Sequence, residues 1–123
     1  MASKIRAKAG AAFPIVSPAL FDILRALYWV AEAITLPDLP ETFLITSGSE
    51  GQAGDGVHAA TSRHYRGEAI DLRVHNFSDQ PILLKFIAVL RGRLGPAFTV
   101  LHEHPGTPHA HLHIQPVKGT VYV

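Results

Sequence analysis

Leu20, Phe21, Leu24, Leu27, Tyr28 and Ala31 recur at intervals of three and four residues, the spacing that lines one face of an α-helix. Ser17-Pro18 precedes them as an N-cap and a first helical proline. Pro37, Asp38 and Pro40 follow as breakers, so the pattern predicts a helix from about Pro18 to Ile34. A second stripe runs through Ile82, Leu83, Phe86, Ile87, Leu90 and Leu94. Ser78 is its N-cap, Asp79 lies in its first turn, Pro81 is just inside, and Gly95-Pro96 ends it. Phe43–Thr46, Ala69–Val74 and Ala97–Leu101 have strand character. A final strand is expected from about His109 to Val117. Pro105-Gly106-Thr107-Pro108 predicts a hairpin connection longer than two residues before it. Residues 1–13 read as a loose basic lead-in, and 47–62, rich in Gly, Ala, Ser and Thr, as a long loop of the kind that often carries function. Two helices with segregated strands predict an α+β fold with a small antiparallel sheet.

The chain has 123 residues, which fits one domain spanning 1–123. Hydrophobic residues make up 47% and charged residues 17%, which excludes a disordered tail. A net charge of +1 argues against nucleic-acid binding by bulk electrostatics. The absence of cysteine excludes a disulfide scaffold, thiol catalysis and Cys-ligated zinc. Lys4, Arg6 and Lys8 before an apolar stretch imitate a signal peptide, but Pro14 and Pro18 interrupt it and no clean cleavage site follows. No apolar run approaches the roughly 18 residues of a spanning helix, so membrane insertion is not expected.

Histidine changes the picture. Five of the chain's 8 histidines fall between His102 and His113. His109, His111 and His113 alternate with Ala110, Leu112 and Ile114, so on a strand the three imidazoles share one face. Such a row points to metal ligation or proton transfer. His64 and Asp71 form a second group, with Gly67 between them to permit a tight turn. An imidazole, a carboxylate and a further imidazole make a catalytic zinc set with one open position. H-x₆-D alone arises often by chance; H-x₆-D with a downstream H-x-H strand is more specific. Elsewhere, His58 in the long loop is a candidate for substrate contact. His75, Glu50, Asp55, Arg91 and Arg93 read as solvated, and Tyr28 and Trp29 as core or helix-edge residues.

Ser62–Asp71 resembles the S-x-H-x-x-G-x-A-x-D motif of the zinc D-alanyl-D-alanine carboxypeptidase family, matching every fixed position. That family belongs to a wider group with lysostaphin-type peptidases and the hedgehog signalling domain. Val100–Glu103 and His111–Ile114 resemble its second motif, a Glu shortly before a ligand His, less closely. The resemblance spans about Ile45 to Gln115. It implies a hedgehog/DD-peptidase-like fold and hydrolysis of an amide bond in peptidoglycan peptides, at a bond involving a D-amino acid. Zn²⁺ would be the cofactor, with His64, Asp71 and His113 as ligands. Glu103 would be the general base, moving a proton from the attacking water to the leaving amine. His111 would hydrogen-bond the oxyanion or orient the water. Ser62 and Arg63 would contact substrate or support the ligands, and Arg66 would meet a substrate carboxylate. The setting implied is a phage-associated or wall-remodelling enzyme acting on the cell wall.

The spacing departs from the family in one respect. Glu103 lies eight positions before His111, where the family places its Glu a few residues before the ligand. Strand alternation puts Glu103 on the side of Leu101 and Thr99, away from Phe98 and Val100. Alternatives stay open: His109 and His111 as the operative pair, or His102 or His104 in proton transfer. Two other functions also stay open. One is a catalytically inactive zinc-bearing peptide- or wall-binding module. The other is a histidine-rich carrier of copper or nickel, which leaves the Ser62–Asp71 match unexplained.

Overall fold

The computed structural model describes residues 4–33, 39, 40, 42–48, 63–77 and 80–117. Among these, β1 (Lys4–Ala7), β2 (Thr42–Ser47), β3 (Ile70–Arg73), β4 (Phe98–Glu103) and β5 (His111–Pro116) form one sheet in the order β1-β2-β3-β5-β4. The helices are α1 (Pro18–Ala33) and α2 (Gln80–Leu94). The architecture is α+β, as expected, but the sheet is mixed. β2, β3, β5 and β4 pair antiparallel, whereas β1 pairs parallel with β2. Parallel neighbours need a long crossover, and α1 supplies it. Thus part of the lead-in is an edge strand, with Ile5 packed against the core and Arg6 exposed.

One face of the sheet is covered. Phe43 and Ile45 of β2, Ile70 and Leu72 of β3, Val100 of β4, and Leu112 and Ile114 of β5 are buried. They meet Leu20, Ile23, Leu27 and Val30 of α1, and Leu83, Phe86, Ile87 and Leu90 of α2. Full burial of each such side chain contributes about 1.5–3 kcal/mol. The register is consistent across strands: Ile70 pairs with Ile114, Leu72 with Leu112, and Val100 with Ile114. The intervening residues therefore share the other face, which no helix among the described residues covers. Asp71, Arg73, His111, His113, Gln115, Thr99 and Glu103 lie there, partly exposed. No helix among the described residues is long and apolar enough to cross a membrane.

The last strand is shorter than the sequence implies. β5 begins at His111, and His109 is exposed in the preceding turn. Turn bonds claim the backbone there: Thr107 N–H donates to His104 O, Ala110 N–H to Thr107 O, and His109 N–H to Thr107 Oγ1. The row of three in-register imidazoles is therefore a pair, His111 and His113.

Candidate metal centre

His64 reaches the site through a one-turn 3₁₀ helix, Arg63–Arg66. Gly67 ends the turn with φ +67°. Its N–H donates to His64 O at 3.0 Å and that of Glu68 to Arg63 O at 3.1 Å, the paired bonds of a Schellman motif. A Cβ on Gly67 would meet Ile15 O at 2.4 Å, so the segment before α1 packs directly on the turn. Glu68 is buried and satisfied by two guanidinium groups, Arg63 at 3.1 Å and Arg66 at 2.9 Å. His64 itself is buried, 4% exposed. Its Nδ1 donates to Gly48 O at 2.8 Å, and its Nε2 stands 3.3 Å from Asp71 Oδ1.

Asp71 and His113 are direct cross-strand partners on β3 and β5. His113 Nδ1 lies 2.9 Å from Asp71 Oδ1, and His113 Nε2 donates to Gln115 Oε1 at 2.7 Å. Gln115 follows on the same face of β5 and fixes the ring. His64 and His113 meet edge to face, 5.0 Å between centroids. Burial opposes ionisation of Asp71, but hydrogen bonds from His113 and His64, with their charges, prevail and hold its carboxyl well below the usual range. Burial likewise disfavours a charged His113. The hydrogen bonds to Asp71 and Gln115 and the Asp71 and Glu103 charges outweigh it and raise its pKa above the ordinary 6.5.

Glu103 and His111 are also direct cross-strand partners, on β4 and β5. The hairpin of residues 104–110 loops out between them, so eight positions along the chain become one step across the sheet. His111 Nδ1 donates to His109 O at 2.8 Å, and Nε2 lies 3.1 Å from Glu103 Oε1.

All three imidazoles follow one rule. Each commits one nitrogen to a carbonyl or amide oxygen and turns the other toward a carboxylate. That outer anchoring fixes tautomer and ring orientation in metal sites. One donor atom from each of His64, Asp71 and His113 falls within 4.8 Å of the others, and the same holds for Asp71, Glu103 and His111. The first set is two imidazoles and one carboxylate, a donor chemistry suited to Zn²⁺.

Other candidates stand elsewhere. Arg63 and Arg66 face Glu68 rather than Asp71. His102 points to the helix-covered side of β4, with its Nε2 buried and lacking a hydrogen-bond partner among the described residues. His104 is exposed in the turn, its ring 5.9 Å from that of His111. His58, Ser62, Glu50 and Asp55 lie outside the described residues. Gln115, Gly48 and the His109 carbonyl were not anticipated as ring anchors. Gln115 shares strand parity with the two histidines, a signal present in the sequence; Gly48 carries none. Compared with protein-family models, curated proteins and solved structures, the chain matches none of them.

Proposed function

We propose that this chain is a zinc-dependent peptidase that hydrolyses an amide bond in peptidoglycan peptides. The observation that carries the proposal is the convergence of His64, Asp71 and His113 beside the Glu103–His111 pair on the open face of the sheet. His64 Nε2, Asp71 and His113 Nδ1 would hold the ion. Zinc held there supplies Lewis acidity to the scissile carbonyl oxygen and makes water nucleophilic near neutral pH.

The chain's own groups do the rest. Glu103 Oε1 takes a proton from the attacking water and delivers it to the leaving amine. His111, held by His109 O, keeps Glu103 oriented through its Nε2. The Glu103 side chain is 44% exposed, open enough for water and substrate to reach it. The peptidoglycan assignment rests on the motif resemblance of Ser62–Asp71.

The same exposure favours a second reading, a zinc-bearing binding module in which Glu103 does no chemistry. Mass spectrometry of defined muropeptides with zinc-loaded wild type and Glu103→Ala separates the two. Cleavage by wild type alone, at about one zinc per chain in both, is expected. Cleavage by both proteins removes Glu103 from its role. Cleavage by neither, with zinc bound, moves the assignment to the binding module.

A further inference from the structure

A cleft of about 320 Å³ opens beside the metal centre on the uncovered face, lined by Lys8, Thr46, Arg73, His75, His104 and His111 among others. His111 belongs to both places. The volume lies at the small end of ligand sites, enough for about one residue of a peptide. Among the described residues, no Asp or Glu lines the cleft.

Several of the described cations are already engaged elsewhere. Arg63 and Arg66 are engaged by Glu68, Arg25 faces Asp22, and Arg91 donates to Val100 O. Arg73 and Lys8 make no ion pair with a carboxylate among the described residues. Arg73 stands on β3 two positions after Asp71, about 7 Å along the strand, and directly opposite His111 on β5. Lys8 lines the same cleft, its backbone N–H donating to Ile45 O of the intervening β2 at 2.8 Å. Arg66, which the resemblance offered for a substrate carboxylate, is paired with Glu68, while Arg73 lines the cleft.

We propose that this cleft is a carboxylate subsite, in which Arg73, supported by Lys8, receives an anionic group of the substrate about one residue from the scissile bond. Arg73 presents a planar fork that matches a carboxylate. It is a specificity-determining residue, remote from the proton-transfer chemistry. The inference rests on the peptidase reading for its substrate but not for its ligand chemistry.

The test uses the stem peptide L-Ala-γ-D-Glu-L-Lys-D-Ala-D-Ala in three forms: both carboxylates free, the D-glutamate carboxylate amidated, and the C-terminal carboxylate amidated. Binding is measured calorimetrically on zinc-loaded Glu103→Ala, and turnover on wild type. One amidation should weaken binding about tenfold or more, as expected for loss of a charge-assisted pair, and so identify which carboxylate is read. Adding Arg73→Gln should erase the discrimination, and Arg73→Lys should keep part of it. In turnover, Arg73→Gln should raise KM with kcat nearly unchanged. Lys8→Gln serves as a second variant if Arg73→Gln unfolds. Equal binding of all three peptides, or discrimination that survives both Arg73→Gln and Lys8→Gln, overturns the subsite. Discrimination in binding without any cleavage supports the subsite and removes the peptidase reading; cleavage without discrimination does the reverse.

Discussion

The hydroxyl of Ser17 donates to Gly67 O at 2.8 Å and accepts from Leu20 N–H at 3.3 Å. One side chain therefore caps α1 and clips the turn that delivers His64. Ser17→Ala should cost about 1 kcal/mol of stability, the usual value of an N-cap. It should also weaken zinc binding, because the turn loses its tie to the helix. Urea unfolding of the metal-free protein and zinc titration of the folded variant measure the two effects separately.

Gly67→Ala should be far worse. The residue has φ +67° and an added Cβ would meet the Ile15 backbone oxygen at 2.4 Å. Strain in the left-handed region costs on the order of 1–3 kcal/mol before the clash is counted. A clear drop in thermal midpoint is expected; an unchanged midpoint would contradict the close packing of Ile15 on this turn.

Gln115→Ala removes the anchor of His113 Nε2 without touching a metal-facing atom. Loss of such an outer partner typically lowers metal affinity about 10–100-fold. A chelator-competition titration should show that decrease. Unaltered affinity would mean that the 2.7 Å contact does not orient the ring.

The pKa shifts set a pH window. The Asp71 pKa is lowered on folding, so its contribution is present above its unfolded value near 3.8 and is lost as pH falls. The His113 pKa is raised, so its contribution is full below 6.5 and fades as pH rises through the raised folded value. The pair should therefore support the metal-free fold most between about pH 4 and 6.5. The urea midpoint of metal-free wild type minus that of His113→Gln, followed across pH, should be greatest there. Zinc must displace the same proton, so its affinity should climb with pH until His113 is neutral.

Leu112→Ala tests the covered face directly behind the site. Leu112 is fully buried between His111 and His113 in the chain. The truncation should cost about 2–5 kcal/mol, read from chemical unfolding, and should disturb the two imidazoles less than it disturbs the fold.

Both helices could be read from the chain because each carries its own signals, a local apolar stripe and flanking prolines. The helix expected from Pro18 to Ile34 is found over Pro18–Ala33, and Gln80–Leu94 ends at Gly95 as expected. β1 was not readable. Lys4–Ala7 has one well-packed apolar residue, Ile5, and its parallel partner lies beyond the whole of α1. The extra strand residue assigned to His109 failed for a local reason, since the Thr107 turn competes for its backbone. Face assignments fared better, because alternation needs only parity. That put Glu103 on the side of Thr99 and Leu101, which is where it meets His111. What parity alone did not provide was the partner, which depends on how much chain the hairpin stores.

That stored chain has a consequence of its own. Glu103 and His111 are neighbours because β4 and β5 are in register, and residues 104–110 lie outside the ladder. The hairpin can lengthen or shorten without moving either side chain, whereas one residue inserted inside β5 would turn His113 and Gln115 onto the apolar side. The interval between these two residues along the chain is thus free to drift, and the count that matters is odd or even within the strand. A template written in fixed residue intervals passes over such a centre; one written in rungs of the ladder finds it.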